Sequence, residues 1–186
     1  MVGACKDVLA DLIAKFGRPP ILQRIIPVEK GKIKEDWRIA AWAAGGLVFD
    51  GRGRVALVKH HAGKGWEDVW VPPGGMLEKG ETADDGFRRE VREETGLEVK
   101  ELHVTRIFNN AYEEPGGKRY PFYFVQFAAR AATHTLRPDD HEVREARWFT
   151  ELPADMAFRE DYVEDFRTWR EKPSPLKSPT GREKSS

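Results

Sequence analysis

Cysteine is almost absent from this chain, and the single Cys5 has no internal partner. A disulfide scaffold is therefore excluded, and a reducing compartment fits. Long apolar runs are also missing. The longest, Ile39 to Phe49, is interrupted by Gly45 and Gly46 and falls well short of the ~18 residues that would span a bilayer. Neither charge sign prevails, since 31 Lys and Arg balance 31 Asp and Glu. No overall field then favours nucleic acid or an anionic membrane, and neither is expected as a partner. A signal-type apolar segment is lacking at the N-terminus, where Lys6, Asp7, Asp11 and Lys15 intervene; a mature, soluble, cytoplasmic chain is expected. The histidines, His60, His61, His103, His134 and His141, show no metal-cluster spacing, and none is assigned a role, although His60 and His61 end an expected strand.

What is present is one domain's worth of sequence: 186 residues, 40% hydrophobic and 33% charged. A short amphipathic helix is expected from Asp7 to Phe16, closed by Gly17 and Pro19-Pro20. The segment from Ile21 to Trp37 reads either as an edge strand or as irregular. Ile39 to Phe49 and Val55 to Val58 form an expected hairpin around Asp50-Gly51-Arg52-Gly53, and Trp70-Val71 is a short strand before Pro72-Pro73-Gly74-Gly75. A helix from Ala83 to Thr95 stops at Gly96. Strands follow at Leu97 to Phe108, Tyr120 to Ala129 and Arg147 to Phe149, then a helix at Phe158 to Arg170. The layout is an N-terminal extension over 1–37, a main domain over 38–157, a C-terminal helix over 158–171 and a disordered tail over 172–186. Strands interleaved with helices imply an α/β fold with a mixed sheet.

The chemistry is concentrated between Gly75 and Leu97. With about 100° per residue, Ala83, Phe87 and Val91 fall at roughly 0°, 40° and 80° and form a buried stripe. Glu90, Glu94 and Glu93 fall at roughly −20°, +20° and −80°, bordering that stripe. Carboxylates at i, i+3 and i+4 repel one another, and partial burial raises their pKa values unless a cation sits among them. Magnesium, a hard ion that accepts carboxylate oxygens and keeps positions open for phosphates, is the natural compensator. The alternative is a solvated face on which Arg88, Arg89 and Arg92 pair with the glutamates.

The spacing favours the metal. Gly75, Glu81, Arg89, Glu90, Val91, Glu93, Glu94, Gly96 and Leu97 fill every fixed place of the Nudix box: Gly, five residues, Glu, seven residues, Arg-Glu, an aliphatic, any residue, Glu-Glu, any residue, Gly, an aliphatic. Over about Arg38 to Pro153 the chain resembles the Nudix hydrolase family, which implies an α/β/α sandwich with a mixed β-sheet and makes 38–157 the Nudix domain. The resemblance implies Glu90, Glu93, Glu94 and the carbonyl of Gly74 as ligands of Mg2+ or Mn2+. Arg89 and Glu81 would orient those carboxylates, a support that metal sites generally need; Arg89 as a plain surface cation stays open.

The implied reaction is pyrophosphohydrolysis, attack of water on the phosphoanhydride of a nucleoside diphosphate linked to another moiety: a nucleoside triphosphate, a dinucleoside polyphosphate or an ADP-ribose-like compound. Glu93 or Glu94 could take the water's proton, or Glu142, which lies six residues before Trp148; Glu113 and Glu114 are weaker candidates. Among aromatic residues that could stack on a base, Tyr112, Trp70 and Phe108 are assigned to substrate binding, with core packing as the alternative. A small nucleotide is the expected partner, and homodimerisation stays open. The competing reading is a catalytically silent module that binds nucleotides for sensing or interaction.

Overall fold

The computed structural model describes residues 3–30, 41–63 and 68–171, and side chains from residue 8 onward. Its elements are α1 (Gly3–Phe16), β1 (Ile21–Pro27), β2 (Ala41–Phe49), β3 (Val55–His60), β4 (Gly74–Met76), α2 (Ala83–Thr95), β5 (Val99–Glu113), β6 (Arg119–Ala131), β7 (Val143–Phe149) and α3 (Arg159–Arg170). The expected tail, and the part of the 21–37 segment beyond Lys30, lie outside the described residues.

The strands form one mixed sheet in the order β1-β5-β6-β2-β3-β7, with β4 added on β2. β1 runs parallel to β5, and β2 parallel to β6; the other ladders are antiparallel. β2 is the spine, buried along its whole length, as expected of a continuous apolar run covered on both faces. Its alternation sorts the core into two layers. Trp42, Ala44 and Val48 pack with Leu12 of α1 and with Phe87 and Val91 of α2. Leu47 and Phe49 pack with Tyr162 and Phe166 of α3. The result is the α/β/α sandwich that the resemblance implied.

One feature differs from expectation. Trp70 and Val71, expected as a short strand, make isolated bridges, to Met156 and Val58, and the short strand lies instead at Gly74–Met76. Gly74 explains this: at φ 156° a Cβ would meet the Gly45 Cα at 2.4 Å, so only glycine lets this segment press onto β2. Of the N-terminal extension, the described residues pack onto the sheet, and Ile21–Pro27 takes the edge-strand alternative. Leu12 is fully buried, and β1 pairs with β5 from Ile21 to Pro27 as an edge strand.

This topology opens a fork. β3 pairs with β2 only at Val48↔Ala56 and Phe49↔Val55 and then continues along β7, while β4 takes the place beside β2 at Ala43, Ala44 and Gly45. α2 lies across the fork.

Candidate active site

Local sequence sets α2. The Thr82 hydroxyl caps its start, accepting from the Asp85 N–H, and Asp84 and Asp85 occupy the positive end of the helix dipole. Gly96, at φ 70°, ends it with its N–H on the Arg92 carbonyl. Ala83, Phe87 and Val91 are fully buried, as the wheel requires, and they carry the carboxylates to different depths. The Glu94 side chain is 5% exposed, Glu90 12% and Glu93 51%.

Arg89 organises this cluster. Its Nε and Nη2 donate to the two oxygens of Glu81 at 2.9 and 3.1 Å, Nη1 donates to Glu90 at 2.7 Å and to Glu93 at 3.0 Å, and Nη2 also donates to the Met76 carbonyl at 2.9 Å. A planar fork with fixed donors suits such a junction, where a lysine would not. These bonds, that to Glu81 foremost, hold the guanidinium proton more tightly than usual. Hydrogen bonding from Arg89, helped by the Glu78 N–H, outweighs desolvation and keeps Glu81 below its ordinary value. Glu90 goes the other way. Burial, with Glu94 and Glu93 adding repulsion, pushes it up to about 7 despite Arg89.

Glu94 sits deepest, in the fork. Its Oε1 accepts from His60 Nε2 at 2.7 Å, and its Oε2 accepts from the Gly74 N–H at 2.8 Å. Hydrogen bonding to the Glu94 carboxylate raises His60 above its ordinary value, and burial raises Glu94 above its own despite His60 and the Gly74 N–H. Gly75 passes so close that a Cβ there would stand 2.5 Å from Glu90 Oε1.

Beside the cluster lies a cavity of about 410 Å³, lined by Arg89, Glu90, Glu93 and Glu94 and, across from them, by Asp139, His141 and Glu142. The facing loop is tied to the helix by the Asp139 N–H on the Glu93 carbonyl, 3.0 Å. Glu142 thus faces the box carboxylates from another element, and its carbonyl accepts from the His61 N–H at 3.0 Å. A wider depression of about 660 Å³ between β7 and α3 is lined by Glu151, Arg159 and Glu160 with mostly apolar neighbours, and gathers no comparable carboxylates.

Among the described residues, no three His, Cys, Asp or Glu side chains are drawn closely enough together to enclose an ion as they stand. The donor chemistry nevertheless fits a hard divalent cation. Arg89 takes one oxygen each of Glu90 and Glu93, and Glu90 is held at a raised pKa in want of further positive charge.

The assigned residues therefore divide. Gly74, Glu81, Arg89, Glu90, Glu93, Glu94 and Glu142 converge on the fork and its cavity. The aromatic three do not line that cavity. Trp70 is 6% exposed, edge-on to Phe149 at 4.7 Å in the α3-side core. Phe108 is 3% exposed, with the Arg24 guanidinium 4.1 Å above its ring. Tyr112 is half-buried, 5.7 Å from Phe122. Alternation along a strand says which face a ring takes, not whether another layer covers it.

His60 is the residue that sequence reasoning passed over. A signal existed: counting by twos from Ala56 and Val58 puts His60 on the α2 face of β3.

Comparison with known proteins gives a family match to the NUDIX domain over residues 40–167. The NAD-capped RNA hydrolase NudC of Vibrio atlanticus is 38% identical over 105 residues, 54% of this chain and 35% of that one. The NAD-capped RNA hydrolase NUDT12 of Homo sapiens is 34% identical over 85 residues, 42% of this chain and 17% of that one. The chain thus spans about a third or less of these two relatives. The ADP-ribose pyrophosphatase of Methanocaldococcus jannaschii is 28% identical over 125 residues, covering 66% of this chain and 71% of that one. In fold, the crystal structure of a NUDIX hydrolase from Nitrosomonas europaea superposes with a TM-score of 0.53 at 23% identity, over 70% of this chain and 74% of that one. No helix among the described residues is long and apolar enough to cross a membrane.

Proposed function

The chain belongs to the Nudix hydrolase family, and from that premise we propose that it is a metal-dependent pyrophosphohydrolase acting on a nucleoside diphosphate linked to another moiety. The observation that carries this reading is the convergence of Glu90, Glu93 and Glu94 with Glu142 on one cavity at the fork. Relatives named for ADP-ribose and for NAD-capped RNA support the substrate class, since both compounds contain an adenosine diphosphate joined to a second group.

Glu90, Glu93, Glu94 and the Gly74 carbonyl would hold Mg2+ or Mn2+. Bound there, the ion supplies neutralisation of the phosphate oxygens and a more acidic water. Arg89 keeps Glu90 and Glu93 oriented through one nitrogen, Nη1, and Glu81 holds the guanidinium from its other edge. Glu142, placed across the cavity, accepts the proton of the attacking water. The water's oxygen forms a new P–O bond as one bridging P–O bond breaks, leaving a phosphate on each product.

The test is a cleavage screen over ADP-ribose, NAD, NAD-capped RNA, nucleoside triphosphates and dinucleoside polyphosphates, with Mg2+ and with EDTA. At least one compound is expected to be split at its phosphoanhydride in Mg2+ only, and Glu94→Gln is expected to lower that rate by ~10²-fold or more, about 2.7 kcal/mol of barrier. Turnover that survives EDTA, near-parental turnover by Glu94→Gln, or cleavage of none of these compounds refutes the reading.

A further inference from the structure

We infer that His60 is a positioning residue: its imidazole, together with the Gly74 N–H, fixes the Glu94 carboxylate in the orientation in which it serves the metal site. The inference rests on the metal reading given above.

The geometry is a strut across the fork. His60 ends β3, Glu94 belongs to the last turn of α2, and Gly74 opens β4. One buried carboxylate joins all three, with contacts of 2.7 and 2.8 Å to separate oxygens. These are charge-assisted bonds, short and directional. The ladder beside His60 is adapted to the arrangement, since the β3–β7 register steps from Lys59↔Glu145 to His60↔Val143 and skips Arg144. Such irregularities re-aim chain ends next to functional sites. The same step carries Glu142 past the strand end, where its carbonyl holds the His61 N–H.

A purely structural role is disfavoured by what the contact costs. The His60 Nδ1 is also buried and makes no hydrogen bond, and an unsatisfied buried polar atom is unfavourable. An apolar side chain opposite a hydrophobic residue at position 94 would fill this volume without an imidazole and a carboxylate to desolvate. What the imidazole provides and packing cannot is a donor at fixed reach from Glu94 Oε1.

The experiment compares the full-length parental protein with His60→Leu, His60→Gln and His60→Asn. Leu fills the ring's volume without a donor; Gln carries an amide to about the reach of Nε2; Asn carries the same amide too short. In metal-free parental protein, ¹H–¹⁵N spectra of the histidine side chains should show a strongly downfield Nε2–H for His60 that is lost in Glu94→Gln. In Mn2+ titrations followed by electron paramagnetic resonance, His60→Leu and His60→Asn should bind about 10- to 100-fold more weakly, the loss usual when a ligand's support is removed. His60→Gln should stay within a few-fold of parental and should restore kcat. If His60→Leu does not fold, the contrast between Asn and Gln decides. No downfield signal, or equal Mn2+ affinity in Asn, Gln and parental proteins, overturns the positioning role while leaving the metal reading intact. A parental protein that takes up no Mn2+ at all overturns both.

Discussion

Replacing Arg89 by methionine tests whether the carboxylate cluster is held by one cation. The side chain is 17% exposed, and its five hydrogen bonds reach Glu81 (14% exposed), Glu90 (12%), Glu93 (51%) and the Met76 carbonyl. The contact to half-exposed Glu93 is worth at most about 0.5 kcal/mol. The fork onto Glu81 and the bond to Glu90 are each worth about 1.5–3 kcal/mol as charge-assisted bonds to recessed groups. Methionine recovers part of the packing, and Glu90, already pushed up to about 7, limits the loss by taking up a proton. The expected destabilisation in EDTA at pH 8 is about 3–4 kcal/mol, or roughly 6–16 °C in Tm for a domain of this size. The pH dependence has a definite sign. Without Arg89, Glu81 and Glu90 have higher folded-state pKa values, so the penalty applies while they are ionised and shrinks as pH falls from 8 towards 5. Arg89→Lys, which keeps the charge and loses the fork, should lose about half as much. Chemical denaturation across this pH range measures both quantities. A methionine variant within about 1 kcal/mol of parental at pH 8, or a penalty that grows towards acid, refutes the reasoning.

Two stability predictions concern regions outside the cavity. Leu12, fully buried against the α2 layer, should cost about 2–5 kcal/mol on truncation to alanine, the usual range for a core leucine; a loss under 1 kcal/mol by urea denaturation would show that α1 is dispensable to the core. Asp50 is buried in the β2–β3 turn and accepts from the Arg52 N–H at 2.8 Å, the Arg54 N–H at 2.9 Å and Arg54 Nε at 2.7 Å. Burial alone would raise its pKa, but the two N–H groups and the guanidinium together bring it below the ordinary value. Its depressed folded pKa means that its contribution is complete above the unfolded value near 3.9 and is lost as pH falls through the folded one. Asp50→Asn should therefore cost about 1–3 kcal/mol at pH 7 and progressively less below pH 4. Denaturation at pH 7 and pH 3 showing a constant difference would contradict this.

Those features that depend on neighbours along the chain were legible in the amino-acid sequence. α2 runs from Ala83 to Thr95 as expected, because Thr82 and Gly96 cap it and Phe87 and Val91 repeat at its period. The box spacing put Glu90, Glu93, Glu94 and Arg89 on one helix, and the apolar run from Ile39 to Phe49 announced the strand that became β2. Only the tertiary structure decided what lies opposite those residues. Gly74 and Gly75 form a strand because β2 comes alongside them, Trp70 packs into the α3-side core, Phe108 lies beneath the Arg24 guanidinium, and His60 meets Glu94 across 34 residues of chain. Periodicity and capping report the period of an element and where it ends. Which partner fills the remaining side depends on how the sheet divides, and that is settled by long-range pairing of β2, β3 and β4.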